Sequence, residues 1–126
     1  MKKIAIVIPT FNELDNIESL IQAILNNLPE SIIFIVDDSK TKEIGNLISS
    51  KNLKAKYLHR ENSKGRGSAV LFGINKALEE NRFNTFIEMD ADFSHNPKEL
   101  KKNIEYFSTN ALDLLIASRY LKDSKI

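Results

Sequence analysis

The sequence predicts a three-layer α/β/α domain built around a mainly parallel sheet. Five short apolar runs rich in β-branched residues are typical of buried strands. Longer segments between them carry apolar residues at helical spacing. The resulting order, βαβαβαβαβ, favours parallel strands joined by crossover helices that cover both faces of the sheet. A length of 126 residues fits one such domain.

The first half of the chain shows this pattern most clearly. Residues 4–8 are apolar at every position, as in a strand buried on both faces, and Pro9 is expected to end that strand. Residues 15–28 repeat apolar side chains at helical spacing. A second buried strand is predicted over residues 32–36, and a shorter helix over residues 41–50.

The second half continues the alternation of strands and helices. It predicts a third strand over residues 54–59, a helix over 68–80 and a fourth strand over 86–89. The next helix has a clear start signal, because Asn96 suits the N-cap and Pro97 suits the first helical position. A fifth strand is predicted over residues 112–117.

Composition and charge exclude several classes of function. The formal net charge of +1 provides no basic field that would recruit nucleic acid. The absence of cysteine excludes disulfides, thiolate metal ligands and thiol nucleophiles, and it suits a cytoplasmic protein. The apolar run at residues 4–8 is too short for a signal peptide, and no segment approaches the ~20 apolar residues of a membrane span. Any work at a membrane is therefore expected either from its surface, at the cytoplasmic face, or through a part that this sequence does not contain.

Two aspartates, Asp90 and Asp92, follow the fourth predicted strand. Ligands of parallel sheets bind beyond the carboxyl ends of the strands. Residues i and i+2 of an extended backbone point to the same side, so both carboxylates can face one point. Two like charges at such a point favour a cation, and oxygen ligands indicate Mg²⁺ or Mn²⁺. The same residues also fit a polar turn, and their spacing alone does not decide between the two interpretations.

Other polar and glycine-bearing segments leave similar choices open. Asn12 is a typical helix cap, and the pair Asp37 and Asp38 fits a turn as well as a ligand site. The segment KGRG at residues 64–67 matches no phosphate-binding glycine pattern, so it is either a flexible helix entry or a backbone contact to a ligand. Gly73 lies inside a predicted helix, where glycine is unfavourable, and is expected to permit close packing.

Five segments of the chain occur together, in order, in one protein family. They are IVIPTFNELDNIESLI, IVDDS, ENSKGRGSAVLFGINKA, MDADFSHNPKEL and ASRYLK. Read together, these segments resemble family 2 glycosyltransferases with the Rossmann-like GT-A fold. The last two are most similar to the polyprenyl-phosphate branch, which resembles dolichol-phosphate mannose synthase. Because the resemblance extends over nearly the whole chain, it is far more specific than any one motif.

The resemblance implies a binding site for a nucleotide-diphospho-sugar such as a GDP- or UDP-sugar. In that comparison, Pro9, Phe11 and Glu13 hold the nucleoside, with Glu13 towards the ribose. Val36 and Asp38 contact the base.

The resemblance also implies roles beside the diphosphate and the sugar. Asp90 and Asp92 bind the Mg²⁺ or Mn²⁺ that bridges the diphosphate, and Ala91 passes its backbone close by. Asp92 and Arg119 are the catalytic candidates, with Arg119 near the transferred sugar and the acceptor phosphate. Ser94 stands where some relatives supply a third metal ligand.

The resemblance defines one domain over residues 1–126, a donor-binding part without the C-terminal acceptor region of the family. The implied acceptor is a polyprenyl phosphate, a lipid phosphate at the membrane surface. Exposed edges of a parallel sheet are compatible with a homo-oligomer.

Three alternatives remain at this point. A phospho-acceptor receiver domain places its acidic pair after the first strand, whereas the pair here follows the second. A sugar nucleotidyltransferase needs a glycine- and arginine-bearing loop after the first strand, and PTFNE contains neither residue. A domain that binds the donor without catalysing transfer has the same sequence features as an active enzyme.

Overall fold

A computed structural model describes residues 3–61, 65–92 and 96–109 of the chain. Four strands and four α-helices alternate in this part, and their bounds are as follows. They are β1 (Ile4–Thr10), α1 (Leu14–Asn27), β2 (Ile32–Asp37), α2 (Glu43–Ser50), β3 (Lys56–His59), α3 (Arg66–Leu78), β4 (Thr85–Glu88) and α4 (Leu100–Thr109). A short 3₁₀ turn over Pro97–Glu99 leads into α4.

The four strands form one parallel sheet in the order β3-β2-β1-β4. From β1 the chain first builds outward through β2 to β3, and it then returns to add β4 on the other side of β1. The strand order therefore reverses between β1 and β4. In open parallel sheets this reversal opens a crevice at the carboxyl ends of the two strands, where ligands bind.

Helices cover both faces of the sheet, which confirms the predicted three layers. One face packs the apolar stripes of α1 and α2, together with Leu100 of α4, on alternate residues of β1 and β2. The opposite face packs α3 on the intervening residues, including Val7, Phe34 and Val36. Every residue of β1 is buried, because this strand lies between two neighbouring strands and two helical layers.

The predicted elements are confirmed within the described residues, with their ends shifted by a few positions. The main correction concerns Pro9, which does not end β1; the strand continues to Thr10. Val7 accepts a hydrogen bond from Met89 on the β4 side, and Thr10 accepts one from Asp38 on the β2 side. Backbone groups of successive residues face opposite neighbouring strands, so Pro9, like Val7, faces β4. Because β4 ends before it reaches Pro9, no hydrogen bond of the sheet is lost through the missing N–H of the proline.

The start of α4 follows its predicted signal. The Asn96 side chain accepts a hydrogen bond from the backbone N–H of Lys98 at 3.0 Å, and Pro97 occupies the first position. The fifth predicted strand, residues 112–117, lies outside the described residues. No helix in residues 3–61, 65–92 and 96–109 is long and apolar enough to cross a membrane.

Candidate functional site

A concavity of about 570 Å³ lies at the point where strand order reverses. This volume is within the range of ligand-binding clefts in proteins. Its walls come from the ends of β1, β2 and β4 and from the start of α3. The lining residues are Pro9, Thr10, Phe11, Glu13, Asp38, Gly65, Arg66, Asp90, Ala91 and Asp92.

One side of the concavity concentrates negative charge. Asp90 and Asp92 follow β4 and flank Ala91, which is buried and fixes the turn against the core. Glu13 approaches from the loop after β1. Burial raises the pKa of the Glu13 carboxyl above its ordinary value, and the charges of Asp92 and Asp90 raise it further. The three carboxylates therefore share one electrostatic environment, which favours the arrival of a cation.

A guanidinium group already faces this acidic cluster. Arg66, the first residue of α3, forms ion pairs with Glu88 and with Asp90. Its Nη2 lies 2.6 Å and its Nε 2.8 Å from Oδ1 of Asp90. The start of α3 is thereby connected to the end of β4 across the concavity.

A second ion pair holds the end of β2. Asp38 receives two hydrogen bonds of 2.7 Å, from Nε and Nη2 of Arg60. Arg60 also donates to the hydroxyl of Ser68 at 2.8 Å, and its guanidinium lies 5.6 Å from the ring centre of Phe72. Because both partners of this pair are almost buried, Asp38 is fixed in orientation at the rim of the concavity.

The loop after β1 is held by a buried carboxylate. Asp37 is fully buried and accepts hydrogen bonds from the hydroxyls of Thr10 (3.0 Å), Ser39 (2.6 Å) and Tyr57 (2.6 Å). The Ser39 hydroxyl oxygen in turn accepts the backbone N–H of Asn12 at 2.7 Å. This network positions the chain between Thr10 and Glu13, and it explains why Asp37 is structural whereas Asp38 reaches the site.

The donor atoms of the concavity fit a hard divalent cation. Asp90 and Asp92 offer only oxygen ligands, and they stand beside Glu13, whose carboxyl pKa is raised by burial and then by their charges. Among residues 3–61, 65–92 and 96–109, no group of three or more His, Cys, Asp or Glu side chains is arranged around one metal position. A cation held by the two aspartates would therefore complete its coordination with water and with substrate oxygens, as Mg²⁺ commonly does.

Most of the residues proposed from the sequence meet at this one place. Seven of them line the concavity, namely Pro9, Phe11, Glu13, Asp38, Asp90, Ala91 and Asp92. Val36 is not brought there, because its side chain is fully buried against α3. Ser94 and Arg119 lie outside the described residues.

Sequence reasoning missed three contributors and misjudged one. Arg60 follows β3, so the rule that ligand residues follow strands would have found it. Arg66 lies in a glycine segment that predicts only backbone contact with a ligand, and Thr10 belongs to β1, although the sequence predicts the strand to end at Pro9. Asn12 is not a helix cap; it adopts a left-handed φ of 55°, and α1 begins without a side-chain cap.

Comparison with known protein families gives one clear match. The model of the family described as "Glycosyl transferase family 2" matches residues 5–126. A dolichol-phosphate mannosyltransferase of Pyrococcus furiosus is 37% identical over 129 residues, which cover 98% of this chain and 35% of that protein. An undecaprenyl-phosphate mannosyltransferase of Micrococcus luteus is 30% identical over 127 residues, which cover 98% of this chain and 51% of that protein. The chain thus spans between about a third and a half of the length of these relatives.

Solved structures confirm the fold. The glucosyl-3-phosphoglycerate synthase of Mycobacterium tuberculosis, crystallised with Mn²⁺, UDP and glucosyl-3-phosphoglycerate, matches with a TM-score of 0.57 at 19% identity. That match covers 89% of this chain and 40% of the synthase. S. aureus TarS 1-349 in complex with UDP matches with a TM-score of 0.58 at 18% identity, over 96% of this chain and 40% of that chain.

Proposed function

Because the chain belongs to glycosyl transferase family 2, we propose that its concavity binds a nucleotide-diphospho-sugar donor together with a divalent cation. The observation that best supports this function is that four carboxylates line one cleft, at the place where the strand order reverses. They belong to Glu13, Asp38, Asp90 and Asp92. A diphosphate is anionic and is repelled by these carboxylates unless a cation stands between them. The proposed donor is a GDP- or UDP-sugar, and the proposed cation is Mg²⁺ or Mn²⁺.

The wall of the concavity divides into a part for the nucleoside and a part for the diphosphate. Phe11 is 60% exposed beside Pro9, so it offers an apolar surface on which a nucleoside can pack. Asp38, fixed by Arg60, presents a carboxylate that can accept hydrogen bonds from a base. Glu13 lines the same concavity and lies close enough to Asp92 and Asp90 for their charges to raise its pKa, which suits a role towards the ribose hydroxyls.

The part of the concavity that would hold the diphosphate is formed by Asp90 and Asp92. A cation held there would supply charge neutralisation for the leaving diphosphate. The chain's own contribution is to fix the two carboxylates on a turn whose middle residue, Ala91, is buried in the core. We assign Asp92 and Arg119 to the transfer step, with Arg119 directed to the sugar and the acceptor and Ser94 assisting the cation.

The acceptor is proposed from the relatives rather than from the cleft. The curated relatives carry names that specify dolichol phosphate and undecaprenyl phosphate as the species that receive mannose. We propose a polyprenyl phosphate for this chain as well, reached at the membrane surface. An ionised phosphate is itself a nucleophile, so transfer to it needs no strong general base.

Metal-dependent binding is the direct test of this function. Calorimetric titration of GDP, UDP and their sugar derivatives into the 126-residue chain is expected to give binding with Mn²⁺ and none with EDTA. Asp92→Ala is expected to lose that binding while keeping its thermal stability, because Asp92 is exposed. Equal affinity with and without the cation would remove the proposal. A large loss of stability in Asp92→Ala without ligand would instead make that residue structural.

A further inference from the structure

Among residues 3–61, 65–92 and 96–109, Arg66 is the arginine that lines the cleft and pairs across it. The residue opens α3 directly after Gly65, whose φ of 88° turns the chain into the helix. Its guanidinium pairs with Glu88 and Asp90, both at the end of β4 and both outside its own helix. The contact therefore depends on the tertiary structure of the cleft and is not a local pair within α3.

We propose that Arg66 is an exchangeable counter-ion of Asp90. In the unliganded protein it neutralises the Asp90 carboxylate. When the divalent cation binds Asp90, the Arg66 guanidinium is displaced and then binds the diphosphate of the donor. The proposal deepens the function proposed above and rests on it. It makes Arg66 a donor-binding residue and the link between metal binding and nucleotide binding.

The competition follows from the atoms in contact. Two nitrogens of Arg66 converge on a single oxygen, Oδ1 of Asp90, and that carboxylate is the proposed ligand of the cation. A guanidinium and a divalent cation on one carboxylate repel each other strongly at such separations. A cation that takes Oδ1 therefore displaces the guanidinium, which then needs an anionic partner besides Glu88. The diphosphate is such an anion, and arginine binds phosphate oxygens through two parallel hydrogen bonds.

The ion pairs of Arg66 are more exposed to solvent, and therefore weaker, than the ion pair of Arg60. Arg60 and Asp38 have side-chain exposures of 11% and 13%, so their ion pair is shielded from water and holds the fold. Arg66 is 48% exposed, and its partners Glu88 and Asp90 are 41% and 34% exposed. Exposed ion pairs contribute little to stability, so Arg66 can leave Asp90 at small cost.

The space around Arg66 permits the movement. The Arg66 side chain is 48% exposed and lines the open concavity. The guanidinium can therefore turn from the aspartate towards the solvent-filled cleft. A first-turn position on α3 also keeps it near the helix N-terminus, which favours anions.

The consequence is a positive coupling between metal and nucleotide. Without nucleotide, the cation has to displace Arg66 and leave it with Glu88 alone. With nucleotide, the displaced guanidinium gains the diphosphate as a partner. Each ligand therefore strengthens the other by the same factor, as thermodynamic linkage requires.

Calorimetry on Arg66→Gln measures this coupling. Mn²⁺ is titrated alone into the 126-residue chain, and GDP or UDP is then titrated at saturating Mn²⁺. Arg66→Gln is expected to bind Mn²⁺ alone roughly five- to ten-fold more tightly, and the nucleoside diphosphate roughly ten-fold more weakly. Both affinities of Arg66→Lys are expected to lie between those of the unsubstituted chain and of Arg66→Gln, because lysine keeps the charge without the planar guanidinium.

The matched control is Arg82→Gln, since Arg82 pairs with Glu80 outside the cleft. This variant is expected to change neither affinity.

The failures of the two proposals are distinguishable. If the unsubstituted chain shows no Mn²⁺-dependent binding of either nucleotide, the proposed function is overturned and the coupling with it. If that binding is present, an unchanged or weakened affinity of Arg66→Gln for Mn²⁺ alone overturns the counter-ion role. An unchanged affinity of Arg66→Gln for the nucleotide also overturns it, and in both cases the proposed function stands.

Discussion

At the scale of single residues, the adjacent aspartates Asp37 and Asp38 have different roles. Asp37 points into the protein and accepts four hydrogen bonds, three from hydroxyls and one from the backbone N–H of Ser39. Asp38 points to the cleft and is held by Arg60. The alternation of side chains along an extended backbone separates the two, since one faces the core side and the other the ligand side.

The buried network of Asp37 predicts a large effect of its removal. Asp37→Ala leaves the buried hydroxyls of Thr10 and Ser39 and the partly buried hydroxyl of Tyr57 without their acceptor. Each unsatisfied group costs about 1–3 kcal/mol, so the free energy of unfolding is expected to fall by roughly 3–5 kcal/mol. Urea denaturation followed by circular dichroism measures this difference.

A matched variant isolates one bond of the same network. Burial raises the pKa of the Tyr57 phenol, and its hydrogen bond to Asp37 raises it further, so the group stays a proton donor throughout the neutral range. Tyr57→Phe removes that donor and leaves Asp37 its other partners, so the expected loss is only about 1 kcal/mol. Finding Asp37→Ala no less stable than Tyr57→Phe would show that the network does not hold the loop.

At the scale of elements, α3 is the helix whose contacts define the site. It packs on the face opposite α1 and α2, and it starts at the wall of the cleft. Its close approach to the sheet occurs at Gly73. A Cβ there would lie 2.5 Å from Cγ1 of Val7 and 2.9 Å from Cγ2 of Val36.

This packing predicts opposite results for two glycines of one helix. Gly73→Ala is expected to be destabilised by about 1–2 kcal/mol, because overpacking against β1 and β2 outweighs the ~1 kcal/mol gain in helix propensity. Gly67→Ala meets no atom within 4 Å and is expected to be neutral or up to ~1 kcal/mol more stable. Urea midpoints of the two variants give the comparison, and a stabilised Gly73→Ala would refute the close packing.

The elements themselves were largely predictable from periodicity. Apolar runs and helical spacing located the four described strands and their helices, because burial on one or two faces leaves a direct pattern in the sequence. The predictions that are wrong concern the ends of the strands and helices. The course of β1 beyond Pro9 depends on where β4 stops, and the left-handed Asn12 depends on a hydrogen bond to Ser39, so both are decided by partners distant in sequence.

At the scale of the whole molecule, strand order determines which strand ends meet. The sequence indicated that polar residues leave several strands at one edge, but it did not state which strands are neighbours. The order β3-β2-β1-β4 places the loop after β1 directly beside the Asp90 to Asp92 turn. The ion pair of Arg66 was not predictable either, because it joins the start of a helix to a strand end 22 and 24 positions later (88 − 66 and 90 − 66).

A divalent cation is expected to bind between Asp90 and Asp92 when a nucleoside diphosphate is present. Paramagnetic line broadening in the ¹H–¹⁵N spectrum of the labelled chain locates such a cation directly, with Mg²⁺ as the diamagnetic control. With GDP or UDP and a small amount of Mn²⁺, the amide signals of Ala91 and Asp92 are expected to disappear first, and this loss is expected to be absent in Asp92→Ala. Broadening centred elsewhere, or equal broadening at Ala91 with and without the nucleotide, would contradict the account.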